Sequence, residues 1–192
     1  MHGYILGLTT TTVEQVTGAA GKALDFKGYG SGLYMGFAGK NDSSCPETLT
    51  RFGDIFIVTD LTRPACGYGY LFGGLDIISP FHPGDAGKNM TKNIIKSDLL
   101  AHREARWWRN GTEIDAKRTK PIEGLTCYSS KHYDSANAPA MRYLFGYDNV
   151  SYNNYERCGG DLVHEVILFG NTTPLTEAEH AEVRRYLTQK WG

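Results

Sequence analysis

Hydrophobic residues in this chain come in short runs that are separated by turn residues. The run 54–59 is mostly β-branched and aromatic, which is typical of a strand buried inside a sheet. The runs 106–109 and 112–115 flank Asn110-Gly111, a dipeptide that tolerates the positive φ angles of a type I′ hairpin turn. The complete set of predicted strands is 22–26, 54–59, 68–72, 75–79, 93–97, 106–109, 112–115, 125–129, 141–145 and 162–169.

Turn signals between these runs predict how the strands are connected. Gly73-Gly74 is predicted to form a tight hairpin between 68–72 and 75–79. The longer connections, which are predicted to be surface loops, are 36–51 and 80–91. Strands at spacings of roughly 10–20 residues, with no helices between them, predict an antiparallel β-sandwich or barrel.

One helix is predicted, at the C-terminal end of the chain. Thr176-Glu-Ala-Glu179 is a capping box, in which the Thr hydroxyl and the Glu carboxylate each satisfy a backbone N–H at the start of a helix. An apolar stripe with a lysine at its edge follows at the spacing i, i+3, i+4, i+7 and consists of Val183, Tyr186, Leu187 and Lys190. The polar positions predicted to face solvent are His180, Glu182, Arg184 and Arg185. Gly192 is predicted to end the helix.

Composition narrows the class of protein further. The 192 residues fit one domain, and 41% hydrophobic residues exclude a mostly disordered chain. A formal charge of −1 provides no electrostatic attraction for nucleic acid, so no nucleic-acid partner is expected. No apolar run approaches the ~18 residues of a membrane span. The 23 glycines and 12% aromatic residues favour an all-β protein with many turns.

Four cysteines bear on the compartment of the protein: Cys45, Cys66, Cys127 and Cys158. None lies in a C-x-x-C pair, and no histidine spacing completes a zinc finger, so structural zinc is disfavoured. Two disulfides are predicted, in one of three pairings. The alternative is a set of unpaired core thiols in a cytosolic protein.

Five asparagines start an N-x-S/T sequon: Asn41, Asn89, Asn110, Asn149 and Asn171. The Ser and Thr content predicts about one such match by chance, and sequons are glycan acceptors on the exposed loops of exported chains. The alternative is that Asn and Thr are both common in β-turn loops. Together with the cysteines, the sequons predict a secreted glycoprotein, located in the extracellular space or on a cell or virion surface.

The C-terminal third of the chain carries a family motif. Residues 160–169 read Gly-Asp-Leu-Val-His-Glu-Val-Ile-Leu-Phe, Leu175-Thr-Glu-Ala-Glu-His follows, and the motif closes with Lys190-Trp-Gly. This order resembles the closing signature of laminin-G-like domains, which belong to the concanavalin A-like lectin and glucanase jelly rolls. Earlier segments that resemble the family, in the right order, are 23–28, 54–59, 68–72 and 106–113. The resemblance covers most of residues 20–192.

The resemblance implies two antiparallel sheets packed face to face, a jelly-roll β-sandwich with one short C-terminal α-helix. Residues 21–192 are expected to form this laminin-G-like domain. Residues 1–20 are expected to form an N-terminal segment that can dock on a neighbouring molecule or exchange a strand with it. The fold leaves the function open, because lectins, glycosidases, adhesion modules and structural proteins share it.

A glycosidase needs two neighbouring carboxyl groups, one of which protonates the leaving group. Hydrolases of the family carry E-x-D-x-(x)-E, and the nearest match in this chain begins at Glu113. Lys117 or Arg118 stands where the second glutamate is needed, so the proton donor is missing. His164 and Glu165 are adjacent on one strand and are expected to face opposite sides of the sheet, which excludes a dyad. The chain is therefore predicted not to be an enzyme.

Aromatic side chains indicate sugar binding more readily. Trp107 and Trp108 are adjacent on one strand, so one is expected in the core and the other on an open face, where its ring can stack on a sugar. Arg106 and Arg109 flank them as hydrogen-bond donors. The alternative is that the C-terminal helix or a loop covers the second Trp. Further candidate ligand-binding residues are Tyr147, Tyr152 and Tyr155.

Oxygen donors in the same tyrosine- and asparagine-rich segment indicate a cation site. Many laminin-G-like domains bind Ca²⁺ in their rim loops, and the candidate ligands by this resemblance are Asp148, Asn149 and Asp161. No cofactor is required for the predicted function, and Ca²⁺ is an optional one. The alternative is an exposed turn, glycosylated at Asn149.

The favoured hypothesis is a non-catalytic carbohydrate-binding or cell-adhesion domain, whose partner is a glycan or a glycoprotein surface. The alternative is a structural subunit or module of an extracellular filament, virion, fibre or surface layer, which packs through its β-sandwich against itself or other modules. A glycoside hydrolase is the third and least favoured hypothesis, because the acid pair is missing.

Overall fold

Antiparallel β-strands and one C-terminal helix are the regular elements of the described part of the chain. The computed structural model describes residues 2–7, 13–18, 21–26, 31–36, 52–60, 72–74, 84–85, 88–89, 105–122, 124–133, 141–144, 162–170 and 174–192. The elements in chain order are β1 (His2–Gly7), β2 (Val13–Gly18), β3 (Gly21–Phe26), β4 (Ser31–Gly36), β5 (Phe52–Asp60), β6 (Phe72–Gly74), β7 (Gly84–Asp85), β8 (Lys88–Asn89), β9 (Ala105–Arg109), β10 (Thr112–Ile114), β11 (Leu125–His132), β12 (Met141–Leu144), β13 (Leu162–Gly170) and α1 (Glu177–Trp191).

A seven-stranded antiparallel sheet forms the main layer. Its strand order is β10-β9-β11-β5-β13-β3-β2, so β5 lies at the centre with β11 on one side and β13 on the other. The predicted antiparallel β architecture with a C-terminal helix is therefore confirmed at this level. The predicted runs 54–59, 125–129 and 162–169 all lie within these three central strands.

The central strand is buried on both of its faces. Phe56 and Val58 pack under α1, in a core cluster with Cys127 and Leu187. Ile55 and Ile57 alternate with them, so they lie on the opposite face of the sheet, and each is 1% exposed. The near-continuous apolar run of β5 is explained by this burial on two sides.

The helix begins as the capping box predicts. The Glu179 N–H donates to Thr176 Oγ1 at 3.2 Å, and the Thr176 N–H donates to Glu179 Oε2 at 2.8 Å. At the other end, the Gly192 N–H donates to the carbonyl oxygen of Thr188 at 2.9 Å. Both predicted ends of the helix are confirmed.

The predicted faces of the helix need correction. Leu187 is buried as expected, but Tyr186 is 47% exposed although the stripe placed it in the core. His180 is buried and Arg184 is partly buried, although both were predicted to face solvent. The reason is that α1 lies across polar as well as apolar side chains of the sheet, and His180 faces the rings of Phe56 and Trp108.

The hairpin between β9 and β10 is confirmed. Asn110 has φ 48° and Gly111 has φ 77°, the positive values that a type I′ turn requires, and Thr112 pairs with Arg109 across the turn. The turn is tied to the next strand, because the Asn110 N–H donates to the carbonyl oxygen of Cys127 at 2.8 Å.

Two of the predicted connections differ from the structure. Gly73 and Gly74 lie in a strand, where they pair with Tyr143 and Met141 of β12, so the predicted hairpin turn at this dipeptide is wrong. The predicted loop 80–91 contains the short ladder of β7 and β8. A glycine pair fits an extended strand as well as a turn, so composition alone did not distinguish them. The predicted strands 75–79 and 93–97 lie outside the described residues.

The N-terminal residues contribute strands that pair inside this chain. β1 pairs with β4, which belongs to a four-stranded ladder in the order β1-β4-β12-β6. β2 pairs with β3 and stands last in the order of the seven-stranded sheet. The role of residues 1–20 as a docking or exchange segment stays a prediction.

Candidate functional site

Neither tryptophan of β9 forms an open platform, so that prediction is wrong. Trp107 and Trp108 are each 3% exposed. The centroid of the Trp108 ring lies 4.7 Å from that of His180, which is on α1. Trp107 points to the other face, where its ring makes an edge contact with His132 at 6.3 Å. The alternative interpretation, in which the C-terminal helix covers one Trp, describes Trp108.

Two guanidinium groups cover the outer part of Trp108. Arg184 Cζ lies 4.2 Å from the ring centroid, and Arg106 Cζ lies 5.0 Å from it. Arg184 also donates from Nη1 to the carbonyl oxygen of Gly111 at 3.4 Å, which joins the helix to the hairpin turn. Burial lowers the pKa of Arg184, and the positive charge of Arg106 lowers it further.

An exposed group of four side chains is centred on Arg106, and we call it the Tyr133 cluster. It consists of Arg106 on β9, Glu113 on β10, Tyr133 after β11 and Glu177 in the first turn of α1. Arg106 holds Glu113 by two hydrogen bonds, Nε to Oε1 at 2.9 Å and Nη2 to Oε2 at 2.6 Å. The cluster brings together residues from four separate elements on the protein surface.

Tyr133 is held at its hydroxyl from two sides. Arg106 Nη1 donates to the Tyr133 hydroxyl oxygen at 3.2 Å, and that hydroxyl donates to Oε1 of Glu177. Arg106 Nη1 also lies 3.4 Å from Glu177 Oε2. The ring is nevertheless 50% exposed, so a fixed aromatic surface is available to a ligand.

Hydrogen bonds within the Tyr133 cluster shift the pKa values of its members. The hydrogen bonds from Arg106 hold the pKa of Glu113 below its usual range, and the same bonds raise the pKa of Arg106. Burial and the hydrogen bond to Glu177 raise the pKa of Tyr133, which keeps its hydroxyl protonated at neutral pH. The cluster therefore presents a carboxylate, a guanidinium and a phenol with defined roles as acceptors and donors.

A buried ion pair supports the cluster from below. Lys131 Nζ lies 3.1 Å from Asp54 Oδ1, and 5.9 Å from the centroid of the Tyr133 ring. Asp54 Oδ2 accepts the backbone N–H of Leu175 at 2.8 Å, and Lys131 donates to the Leu175 carbonyl oxygen. These contacts fix the segment that leads into α1, and hence the position of Glu177.

Of the other predicted ligand-binding and metal-binding residues, the structure describes Arg109, which does not join this cluster. Arg109 donates from Nη1 to the Lys120 carbonyl oxygen at 3.1 Å. The predicted residues that lie outside the described part of the chain are Tyr147, Tyr152, Tyr155, Asp148, Asn149 and Asp161. Within the described ranges, no group of three or more His, Cys, Asp or Glu side chains could hold a metal ion.

Cys127 is a free, buried thiol, so its predicted place in a disulfide is wrong. Burial raises its pKa to about 12. Its neighbours in the core are Phe56, Val58 and Leu187. Cys127 therefore packs under the helix as a small apolar side chain does. The other predicted disulfide residues, Cys45, Cys66 and Cys158, lie outside the described residues.

One sequon asparagine has a described side chain. Asn110 lies exposed in the hairpin turn, and its Oδ1 accepts the backbone N–H of Cys127 at 2.9 Å. Asn89 lies on β8, where the structure describes the backbone. The sequons outside the described residues are Asn41, Asn149 and Asn171.

The strict alternation predicted for His164 and Glu165 is wrong, because both side chains contact Trp191. The His164 and Trp191 rings meet at an angle of 61° with 5.2 Å between centroids, and Trp191 Nε1 donates to Glu165 Oε2 at 2.5 Å. The pairing of β13 with β5 shifts in register between Val163 and Glu165, and a shift of this kind changes the side to which the following residues point.

Tyr133 and Glu177 are the site residues that the sequence reasoning missed. Tyr133 follows the last residue of β11, a position where an aromatic ring leaves the sheet, and Glu177 is an acidic residue in the first turn of a capped helix. Each feature is common by itself. Their meeting depends on the way α1 lies across the sheet, which the local pattern does not contain.

No protein-family model matches this chain, and neither a curated protein nor a solved structure matches it. The described helix is too short and too polar to span a membrane.

Proposed function

We propose that this protein is a non-catalytic carbohydrate-binding or adhesion domain with a laminin-G-like fold, located in the extracellular space or on a cell or virion surface. The observation that carries the proposal is the half-exposed ring of Tyr133, held by Arg106 and Glu177 beside the Glu113 carboxylate. The partner is a glycan or a glycoprotein surface.

The chemistry of the Tyr133 cluster suits sugars. An aromatic ring packs against the C–H groups of a pyranose, and amphipathic rings such as tyrosine bind ligands that are apolar on one face and polar at the edge. Carboxylate and guanidinium groups form paired hydrogen bonds with neighbouring hydroxyls. Because these groups already hold one another in place, little side-chain entropy is lost when a ligand binds.

The state of Glu113 supports a non-catalytic role. Its carboxylate is bound twice by Arg106 and has a lowered pKa, so it is a poor proton donor to a leaving group. The nearby Asp115 accepts the Lys117 N–H at 3.1 Å and so stabilises the turn after β10. Glu113 and Asp115 therefore have structural partners in place of a catalytic arrangement.

Burial on both faces of the sheet supports the β-sandwich part of the proposal. The helix packs on the side of Phe56 and Val58, yet Ile55, Ile57 and Tyr128 on the other face are also almost fully buried. A sheet whose two faces are both buried needs a layer on each side. A second sheet on the face opposite α1 is the layer that a jelly roll provides.

A glycan array followed by titration of the best ligand tests the function. We expect Tyr133→Ala to weaken binding by about tenfold or more, as for an anchoring aromatic residue. Tyr133→Phe keeps the ring and is expected to retain most of the affinity. Tyr186→Ala is the matched control, because Tyr186 is a similarly exposed tyrosine whose hydroxyl contacts Lys190. An array without ligands, or equal affinity in Tyr133→Ala and the wild type, contradicts the proposal.

A structural subunit is the second candidate, and the edge position of β2 favours it. β2 comes from the predicted docking segment and stands last in the order of the seven-stranded sheet. An edge strand can accept a strand from another molecule. Size-exclusion chromatography and electron microscopy over a wide concentration range test this role. A chain that stays monomeric at the highest concentration rules it out.

A further inference from the structure

We propose that Asn110 carries an N-linked glycan and that the first N-acetylhexosamine of this glycan occupies the cavity beside it. The proposal rests on the proposed extracellular location, because the chain must meet a glycosylating enzyme during export. It is otherwise independent of the Tyr133 cluster, because none of the four cluster residues lines the cavity.

The cavity lies where the hairpin turn meets the last turns of α1. Its volume is about 270 Å³. The residues that line it are Asn110, Leu125, Cys127, Leu187, Thr188, Trp191 and Gly192. The volume falls just below the ~300 Å³ at which pockets for drug-sized ligands begin, so one sugar ring is a suitable occupant.

The side-chain nitrogen of Asn110 is available for attachment of a glycan. Asn110 and Gly111 of the sequon form an exposed two-residue turn, and Thr112 begins β10. Asn110 Oδ1 is already occupied by the Cys127 N–H at 2.9 Å, and this bond fixes the plane of the amide. The Nδ2 atom is then the free end of that amide, and it belongs to a residue that lines the cavity.

The lining of the cavity matches a sugar ring. Leu125, Leu187 and the Trp191 indole supply apolar surface for the C–H groups, and Thr188 supplies a hydroxyl. The indole is held in place, since Trp191 Nε1 donates to Glu165 Oε2 at 2.5 Å and Lys190 binds the same oxygen at 2.9 Å. The Trp191 indole is therefore a fixed aromatic wall in the same cavity as the acceptor asparagine.

The modification is a group transfer from a lipid-linked oligosaccharide diphosphate. A bond forms between Asn110 Nδ2 and the anomeric carbon of the sugar, and the bond from that carbon to the diphosphate oxygen breaks. The lipid diphosphate leaves with the electron pair of the broken bond. One amide proton passes to a carboxylate of the transferase, and the remaining amide proton stays on Nδ2.

Two measurements on the full chain, secreted from glycosylating cells behind an export signal, test the proposal. Peptide mass spectrometry after peptide-N-glycosidase treatment in heavy-oxygen water gives the occupancy of Asn110. The rate of glycan removal by the same enzyme, from folded and from unfolded protein, reports whether the first sugar is covered. We expect Asn110 to be occupied, and removal to be at least about tenfold slower from the folded chain than in Trp191→Ala, equivalent to about 1.4 kcal/mol.

Matched variants separate the effect of the aromatic wall from other effects of each substitution. Trp191→Phe and Trp191→Ala both lose the bond to Glu165, but only the second loses the aromatic wall, so Phe is expected to retain slow removal. Thr112→Ala removes the sequon and Thr112→Ser keeps it, while Asn110 is unchanged in both. If Trp191→Ala does not fold, as judged by circular dichroism, the comparison of folded and unfolded wild type decides.

The outcomes distinguish this proposal from the proposed function. An unoccupied Asn110 in the secreted chain, or equal removal rates from folded and unfolded protein, overturns it. Glycan-array binding that is lost in Tyr133→Ala but retained in Thr112→Ala supports two separate sites. A negative array with an occupied, protected Asn110 refutes the proposed function and leaves the glycosylation proposal standing.

Discussion

Lys131 and Asp54 form an ion pair in the interior, with 3.1 Å between Nζ and Oδ1 and side chains that are 7% and 0% exposed. They are paired residues of the neighbouring strands β11 and β5. Both also bind the backbone of Leu175, Asp54 at the N–H and Lys131 at the carbonyl oxygen. The pair thus attaches the start of the helix to the centre of the sheet.

Removing the lysine is expected to be costly. Lys131→Met leaves the Asp54 carboxylate buried without its counter-ion, which costs about 3–5 kcal/mol of unfolding free energy. The double variant, with Asp54→Asn added to Lys131→Met, has no unpaired buried charge and should recover part of this loss. Urea unfolding measures both effects. The control is Arg118→Met, because Arg118 and Asp115 form an exposed pair at 3.6 Å. Equal losses in Lys131→Met and Arg118→Met would show that the buried pair has no special role.

Arg184 is expected to stabilise the fold through its contact with the face of the Trp108 ring. Its Cζ lies 4.2 Å from the ring centroid in a partly buried position, where a cation–π contact contributes about 1–2 kcal/mol. Arg184→Ala should lose about this amount in urea unfolding and shift the tryptophan fluorescence. Arg185→Ala is the control, since Arg185 is exposed and its contact to Glu182 is 3.9 Å long. The prediction fails if the two alanine variants are equally stable.

His180 is expected to make stability depend on pH. Burial lowers its pKa from 6.5 to about 4, and the charges of Arg184 and Lys131 act in the same direction. The hydrogen bond to the Ser130 carbonyl oxygen and the charge of Glu177 oppose this shift. Between these two pH values the unfolded chain binds a proton that the folded chain does not, so stability falls as the pH falls. The loss amounts to at most about 3 kcal/mol, at about 1.4 kcal/mol for each pH unit of difference.

His180→Phe is the variant that isolates this effect. Phenylalanine keeps a ring between Phe56 and Trp108, but it does not titrate. Urea unfolding above pH 6.5 and near pH 4 should show a smaller loss in the variant than in the wild type. Carboxylates that do not contact His180 contribute equally in the two proteins and cancel in the difference, whereas Asp54, 3.9 Å from His180 Nε2, is coupled to it. Identical pH dependence in the two proteins would rule out His180 as the cause.

The capping box is expected to contribute measurably to the helix. Thr176→Ala removes the acceptor of the Glu179 N–H and should cost about 1 kcal/mol, whereas Thr176→Ser keeps the hydroxyl and should cost much less. Hydrogen bonds from Thr176 lower the pKa of Glu179, so protonation of Glu179 at low pH should reduce the difference between the variants. Thermal unfolding at neutral and low pH measures this. A difference that is the same at both pH values would contradict the role of Glu179.

Local rules predicted the parts of this fold that depend on near neighbours in the chain. The capping box at Thr176 and the turn at Asn110-Gly111 are both present, because each needs only a few adjacent residues with the right φ angles and hydrogen-bonding groups. The strand 54–59 is central, because a run that is apolar on both faces is stable only where both faces are buried.

These local rules did not predict the contacts between elements that are distant in the chain. The burial of His180 and Trp108 depends on the angle at which α1 crosses the sheet, and the Tyr133 cluster needs four elements to meet. The register shift after Val163 reverses the expected side of the following residue. A pattern of polar and apolar positions records how each element is buried on average, but it does not say which partner buries it.

Cys127 is expected to be a reduced and unreactive thiol in the folded protein. Burial raises its pKa to about 12, and the thiolate is the form that attacks disulfides and alkylating reagents. Labelling by a thiol reagent in the folded chain should therefore proceed only through local opening, and it should accelerate strongly in urea. Peptide mapping under non-reducing conditions should recover the peptide of Cys127 without a partner. A disulfide at Cys127 in that map would contradict the packing beside Leu187 and would restore the prediction that Cys127 belongs to one of two disulfides.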